Sequence, residues 1–142
     1  MRTIFGALLG LAFWTGGAAA ADLTLSIDGA RSTEGVVAIC LWSDGKDFPD
    51  CGKSRTAVRR SVAAGALGRP IVFKGLKSGT FAISALHDEN GNGRLDTNLI
   101  GIPKEGIAVS NDALPKFSAP RFAETAFELR GNASRRIKLF YR

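Results

Sequence analysis

The feature that most constrains this chain is an alternation of apolar and polar residues with a period of two. Leu23, Leu25 and Ile27 fall on one side of their segment, and Thr24, Ser26 and Asp28 fall on the other. Successive side chains of a strand point to opposite faces, so the pattern predicts a half-buried β-strand. No segment carries an apolar stripe at helical spacing for more than a turn or two. Val36–Trp42 is continuously apolar and predicts a central strand. Residues 56–63 predict a weaker strand carrying basic side chains, and residues 70–73, 81–86, 122–129 and 137–141 predict others. In the last of these Ile137, Leu139 and Tyr141 face inward, while Arg136 and Lys138 face water. Residues 29–35 and 75–80 are turn regions. Many short strands with turn signals between them predict an all-β fold over residues 22–142, a single antiparallel β-sandwich of about seven strands, Ig-like or transthyretin-like. Residues 100–120 show no strand pattern, and long loops in compact domains are often functional.

The N-terminus predicts export. Arg2 supplies a positive charge, residues 4–14 are uncharged and mostly apolar, and small residues lead to Ala19 and Ala21 before the first acid, Asp22. These are the three parts of a cleaved signal peptide over residues 1–21. The apolar part is shorter than the roughly 20 residues that span a bilayer. No lipobox cysteine follows it, and no later segment is a membrane span, so the expected place is the periplasm or the exterior. Two cysteines, Cys40 and Cys51, are an even count in an exported chain and predict a disulfide. Asp44, Gly45 and Pro49 lie between them to turn the chain back.

Of the 142 residues, 23% are charged, with a net charge of +6, and the isoelectric point is about 9.8. A basic balance suits anionic partners such as lipid headgroups or acidic polysaccharide. Arg59-Arg60 and Arg135-Arg136 are isolated pairs in a scatter of single charges. No aromatic ladder is interleaved with them, so no nucleic-acid partner is expected.

One segment carries chemistry. Asp88, Asn90, Asn92 and Asp96 stand at positions 1, 3, 5 and 9 of a loop with Gly93 at position 6. This is the spacing of an EF-hand calcium loop, in which alternate residues aim hard oxygen ligands at one point. The Arg94 carbonyl would serve as the position-7 ligand. Position 12 is Leu99, where a bidentate Glu would normally close the shell, so Asn98, Glu105 or water must substitute. Binding at extracellular strength, a Kd of about 10⁻⁴–10⁻³ M, is then expected. Asn-Gly twice in succession is equally a hairpin-turn signal, and Asp and Asn side chains can hold such a turn without metal. Both readings stand on the sequence.

Enzyme motifs are absent or accidental. His87 is the only histidine and reads as a strand-end residue. Ser43-x-x-Lys46 and Lys77-Ser78-Gly79 echo penicillin-binding proteins, but the chain is far too short for that fold. No nucleophile–base pair is visible, and no enzymatic activity is expected.

The run Phe73-Lys74-Gly75-Leu76-Lys77-Ser78-Gly79-Thr80-Phe81 leads into His87-Asp88-Glu89-Asn90-Gly91-Asn92-Gly93. It continues through Leu95-Asp96-Thr97-Asn98 to Gly101-Ile102-Pro103-Lys104-Glu105-Gly106 and Ser110-Asn111. Over essentially the whole mature chain this resembles the bacterial exported family called domain of unknown function 2141. The Gly-Leu-x-x-Gly-Thr-Phe step is similar to that of transthyretin-like and carboxypeptidase-regulatory-like sandwiches. Gly106-Ile107-Ala108-Val109-Ser110 departs from the Gly-Tyr-Gly-Phe-Ser of such members, which reduces an aromatic cluster near the loop. The resemblance implies a fold and a compartment, and it brings no activity with it.

The expected function is therefore an exported binding or accessory module working through residues 87–112, with His87, Ser110 and Asn111 on that loop surface. Its ligand would be an unknown envelope or extracellular component. The alternative is a structural domain that docks on the envelope through a basic surface. An apolar cleft beside the loop would favour binding, a flat basic or apolar face would favour docking, and His87 beside another titratable group in a pocket would favour catalysis.

Overall fold

The computed structural model describes residues 16, 17 and 19–142, so most of the expected signal peptide lies outside the described residues. Among the described residues the chain forms eight strands, β1 (Ala21–Asp28), β2 (Val36–Trp42), β3 (Val58–Ala63), β4 (Ile71–Leu76), β5 (Gly79–Asp88), β6 (Gly106–Val109), β7 (Phe127–Leu129) and β8 (Ala133–Lys138). They make two sheets. One has the order β4-β1-β8, and the other β3-β2-β5-β6, with β7 also paired to β5. No helix among the described residues is long and apolar enough to cross a membrane.

The alternation in β1 decides its place. Leu23, Leu25 and Ile27 are buried while the residues between them are half-buried. They meet Val37, Ile39 and Leu41 of β2, Phe73 of β4, Ile83 of β5 and Ile137 of β8 in one core between the sheets. β2 is buried on both faces at its end because a second cluster covers Cys40 and Trp42. Ala82, Phe48 and Phe122 complete that cluster, with the Trp42 and Phe48 rings 5.1 Å apart edge to face. The Trp42 indole N–H donates to Ser84 Oγ at 2.9 Å, so the large side chain is buried with its polar atom satisfied. The disulfide Cys40–Cys51 ties β2 to the following loop, with a Cα–Cα distance of 6.3 Å.

The fold departs from the sequence reading in four places, the last of them at the C-terminal strand. β1 and β8 pair in parallel, Leu23 opposite Ala133 through Asp28 opposite Lys138, so the smaller sheet is mixed. β6 lies inside the stretch read as a strandless loop; four residues are too few to display a period. Only the end of the run 122–129 is a strand. Phe122–Thr125 is one helical turn, α1, in which Thr125 Oγ1 donates to the Arg121 and Phe122 carbonyls. That turn places Phe122 on the second cluster, its ring 5.9 Å from Phe48.

The last strand ends earlier than expected, and the chain then changes sheets. Leu139 N–H still bonds the β1 end at Asp28, but Phe140 pairs with Ile107 of β6 through two backbone hydrogen bonds. This crossing closes one side of the sandwich and carries Tyr141 to the end of β5.

Candidate functional site

β5 delivers His87 and Asp88 to one end of the sandwich, and the loop grows from there. Gly35, with φ +68°, begins the approach of β2. A Cβ on it would lie 2.1 Å from the Asp88 carbonyl oxygen, so only glycine fits. Asp88 is buried, and both its oxygens face the loop backbone. Oδ1 accepts the Asn92 N–H at 3.1 Å and Oδ2 the Gly93 N–H at 2.8 Å. Asn90 Oδ1 accepts Asn92 N–H and Asn92 Oδ1 accepts Arg94 N–H, so successive side chains wind the loop round itself.

The two amide groups then converge on one carboxylate. Asn90 Nδ2 donates to Asp96 at 2.6 Å, and Asn92 Nδ2 reaches both Asp96 oxygens at 3.0 Å. These bonds hold the Asp96 carboxyl below its ordinary range. The side chains at loop positions 3 and 5 thus meet the carboxylate at position 9, while that at position 1 holds the loop backbone. The closing element is Glu105, also buried, whose oxygens accept the N–H groups of Glu89 and Asp96, both at 3.1 Å. One carboxylate so pins both ends of the loop. Asn98 is not part of this group: its Oδ1 accepts the N–H groups of Ile100 and Ile102 and caps a separate turn. Leu99, at position 12, projects fully into solvent. Among the described residues no three His, Cys, Asp or Glu side chains come together as a metal group. A cation here would lean on amide and backbone oxygens as much as on carboxylates.

Residues outside the motif complete the site. Arg31 Nε and Nη2 donate to Glu89 Oε1 at 2.9 and 2.5 Å, and Nη2 also reaches the Lys104 carbonyl at 3.1 Å. Ser32 Oγ donates to the other Glu89 oxygen. The guanidinium, and then the hydroxyl, hold the Glu89 carboxyl below its usual range. Arg31, Glu89, Asn90, Asp96, Lys104 and Glu105 line a shallow depression of about 510 Å³. Its wall is charged and polar, so the apolar cleft expected of a binding module is not what adjoins this loop. Local spacing does not reveal the Arg31–Glu89 pair, because the two lie 58 residues apart, one in a turn and one inside the motif at position 2.

His87 is not a plain strand-end residue. It is fully buried. Its Nε2 lies 2.8 Å from the Glu34 carbonyl and its Nδ1 2.7 Å from the Tyr141 hydroxyl. A carbonyl only accepts, so Nε2 carries the hydrogen and Nδ1 accepts from Tyr141. The Tyr141 oxygen takes the Arg31 N–H at 3.2 Å, and the Arg31 guanidinium lies 4.5 Å from the centre of that ring. Burial raises the Tyr141 phenol above its usual range. Gly106 makes room for the ring, since a Cβ there would fall 2.5 Å from it. His87 does meet a second titratable group, the half-buried Tyr141, whose ring lies under the Arg31 guanidinium.

Ser110 and Asn111, expected on the loop surface, sit beyond the far end of β6 and fasten it. Ser110 is buried; its Oγ accepts Ile83 N–H at 2.9 Å and donates to the Thr125 carbonyl at 2.6 Å. Asn111, at φ +62°, donates to the Glu124 and Ala126 carbonyls.

With this geometry in place, comparison with known proteins gives one match. The family model described as "Uncharacterized protein conserved in bacteria (DUF2141)" matches residues 25–138, from within β1 to the end of β8. No curated protein and no solved structure matches the chain.

Proposed function

The chain belongs to that bacterial family, and we propose that its domain is an exported binding module whose working surface is the 88–105 loop region, ordered by calcium. The observation that carries this reading is the convergence of the Asn90 and Asn92 amides on the Asp96 carboxylate, at 2.6 and 3.0 Å. Two amide N–H groups there occupy the place that a cation would take as partner of the same oxygens. Asp88, Asn90, Asn92, Asp96 and the Arg94 carbonyl would hold the ion, with Glu105 or water to supply the missing twelfth ligand. The Asp88 and Glu105 oxygens and Asp96 Oδ1 each keep a lone pair beyond the one N–H they accept, whereas Asp96 Oδ2 already accepts two. Binding exchanges existing hydrogen bonds for oxygen ligation, which is consistent with weak affinity, a Kd of about 10⁻⁴–10⁻³ M. Calcium at that strength is a structural ligand for an extracellular module and supplies order rather than catalysis.

Export is supported by the Arg2, apolar and Ala19-x-Ala21 pattern and by the Cys40–Cys51 bridge, which persists in oxidising compartments. Cleavage before Asp22 leaves a terminus that is already held. Asp22 N donates to Asn132 Oδ1 at 2.8 Å, and its carboxylate accepts Gly75 N–H at 3.0 Å.

Thermal melting with calcium and with chelator tests the reading. At 100 times Kd a ligand of the folded state adds about 2.7 kcal/mol, several degrees of Tm for a domain this size. Magnesium, which demands a tighter octahedral shell, should give much less. Asp88→Ala should abolish the calcium response. Identical wild-type curves in millimolar calcium and in chelator would reduce the loop to a hydrogen-bonded turn.

A further inference from the structure

We propose that Asn90 is a self-modification site: the folded protein hydrolyses this side-chain amide, and not the neighbouring Asn92 amide, to a carboxylate that faces Asp96. No metal in the loop is needed for this. The motif behind it is the repeated Asn-Gly step, Asn90-Gly91 and Asn92-Gly93. An asparagine before glycine can lose ammonia, because the next backbone nitrogen lies within reach of its Cγ and glycine has no Cβ to obstruct the approach. Asn98, Asn111 and Asn132 all precede residues that carry one.

The fold makes the two steps a matched pair. Both asparagines accept the N–H two residues on, Asn90 Oδ1 from Asn92 at 3.2 Å and Asn92 Oδ1 from Arg94 at 3.1 Å. Both donate their amide to Asp96, Asn90 at 2.6 Å and Asn92 at 3.0 Å. Both are exposed. They differ at the attacking atom. Gly93 N–H donates to Oδ2 of the buried Asp88 at 2.8 Å. That nitrogen must give up its proton before it can attack, and a carboxylate held against it disfavours the amide anion left behind. Gly91 N–H donates to nothing among the described residues. Gly91 is exposed, and a Cβ built on it would meet no atom within 4 Å, so water reaches its nitrogen freely.

The chemistry closes on water alone. Hydroxide removes the Gly91 amide proton, and the nitrogen attacks Asn90 Cγ. The new N–Cγ bond forms as the Cγ–Nδ2 bond breaks, and ammonia leaves, its extra proton returned by water with the hydroxide regenerated. The cyclic imide then adds one water across either of its C–N bonds, which restores the N–H and leaves a carboxylate at position 90. Opening at Cγ gives an aspartyl residue, and opening at the backbone carbonyl gives an isoaspartyl residue. One water is consumed, one ammonia is released, and nothing is oxidised or reduced. Either product removes the amide donor to Asp96 and sets a second negative charge against it. Asn90 and Asp96 both line the shallow depression, so conversion opens the rim that their contact closes.

Peptide mapping by mass spectrometry tests this on the full mature chain, held folded in chelator at mildly alkaline pH, and in parallel unfolded in urea with the disulfide reduced. In the folded protein position 90 should convert about tenfold or more faster than position 92, the rate cost of breaking a charge-assisted hydrogen bond at the Gly93 nitrogen. Unfolding should bring the two rates together. Gly91→Ala should slow position 90 and leave position 92 unchanged. Asn90→Asp, which carries the product charge on a normal backbone, should melt below wild type at low salt, and the gap should narrow as salt screens the repulsion. Equal folded-state rates at the two positions overturn the proposal, and faster conversion at position 92 overturns it by making Asp88 the base. A folded protein in which neither position converts, while the unfolded chain converts at both, overturns it too: the Asp96 contacts would then lock both amides. An Asn90→Asp melting curve identical to wild type at low salt overturns the opening of the rim.

Discussion

Glu105 holds the loop through two backbone N–H groups, and its contacts make a prediction at the scale of the residue. Glu105→Ala leaves both donors without a partner in a part-buried place. The cost should be about 1–3 kcal/mol, read as a lower urea midpoint with the slope unchanged. An unchanged midpoint would mean that water replaces the carboxylate freely. Glu89 and Asp96 add a pH dependence whose sign is set by their lowered folded values. Their contribution is complete above the unfolded carboxyl range, about 3.9–4.3, and is lost as pH falls through the lower folded values. Melting temperature should therefore fall below about pH 4, and Asp96→Asn should flatten that acid limb. A Tm that fell equally steeply in the variant would assign the acid limb to other carboxylates. Tyr141 acts with the opposite sign: its raised phenol favours the fold until pH rises above about 10.

Legibility in the sequence rises and falls with the length of each element. β1 and β2 were readable because each is long enough to show its pattern, an alternation in one and a continuous apolar run in the other. β6 was hidden by having four residues, and α1 by the apolar Phe122, which belongs to a cluster under the disulfide rather than to a strand. Within the site, the order Asp88, Asn90, Asn92, Asp96 was visible since ligand spacing is local. Arg31, Tyr141 and the clasping role of Glu105 were not, because they reach the loop only through β-pairing across distant segments. Ser110 and Asn111 were misplaced for the related reason that β6 carries them to the other end of the sheet. The Cys40–Cys51 bridge was legible from the even cysteine count and the expectation of export. It closes a short loop, so replacing both cysteines with Ser should cost about 2–3 kcal/mol by chain entropy. The cost should appear as a lower midpoint for the variant, and the reduced wild type should match it. A variant as stable as the oxidised wild type would show that the Trp42 cluster alone holds this loop.

The whole sandwich is tied by its two ends. β1 lies at the centre of the smaller sheet, between β4 and β8, and its neighbour β8 joins it from the far end of the sequence, Asp22 and Asn132 being 110 residues apart. The chain then leaves that sheet at Leu139 and joins the edge of the other at Phe140. One short segment thus closes the core, covers an edge strand and seals His87. Leu139 is buried, Phe140 bonds Ile107 twice, and the Tyr141 hydroxyl is the partner of His87 Nδ1. Removing residues 139–142 should therefore cost more than any single surface change. Loss of the Leu139 burial is worth about 1.5–3 kcal/mol. A buried imidazole nitrogen left without its donor adds about 1–3 kcal/mol. The urea midpoint should drop accordingly, and β6 amides should lose hydrogen-exchange protection before those of β2. Removing Arg142 alone, which bonds the Pro115 and Lys116 carbonyls and lies over the exposed Phe140 ring at 5.9 Å, should change stability by less than about 0.5 kcal/mol. If the two truncations behaved alike, the crossing would be an ornament of the edge, and the sealing of His87 would fall to Arg31 and Glu34 alone. A large gap between them, with early exchange confined to β6, is the outcome that the two-sheet crossing requires.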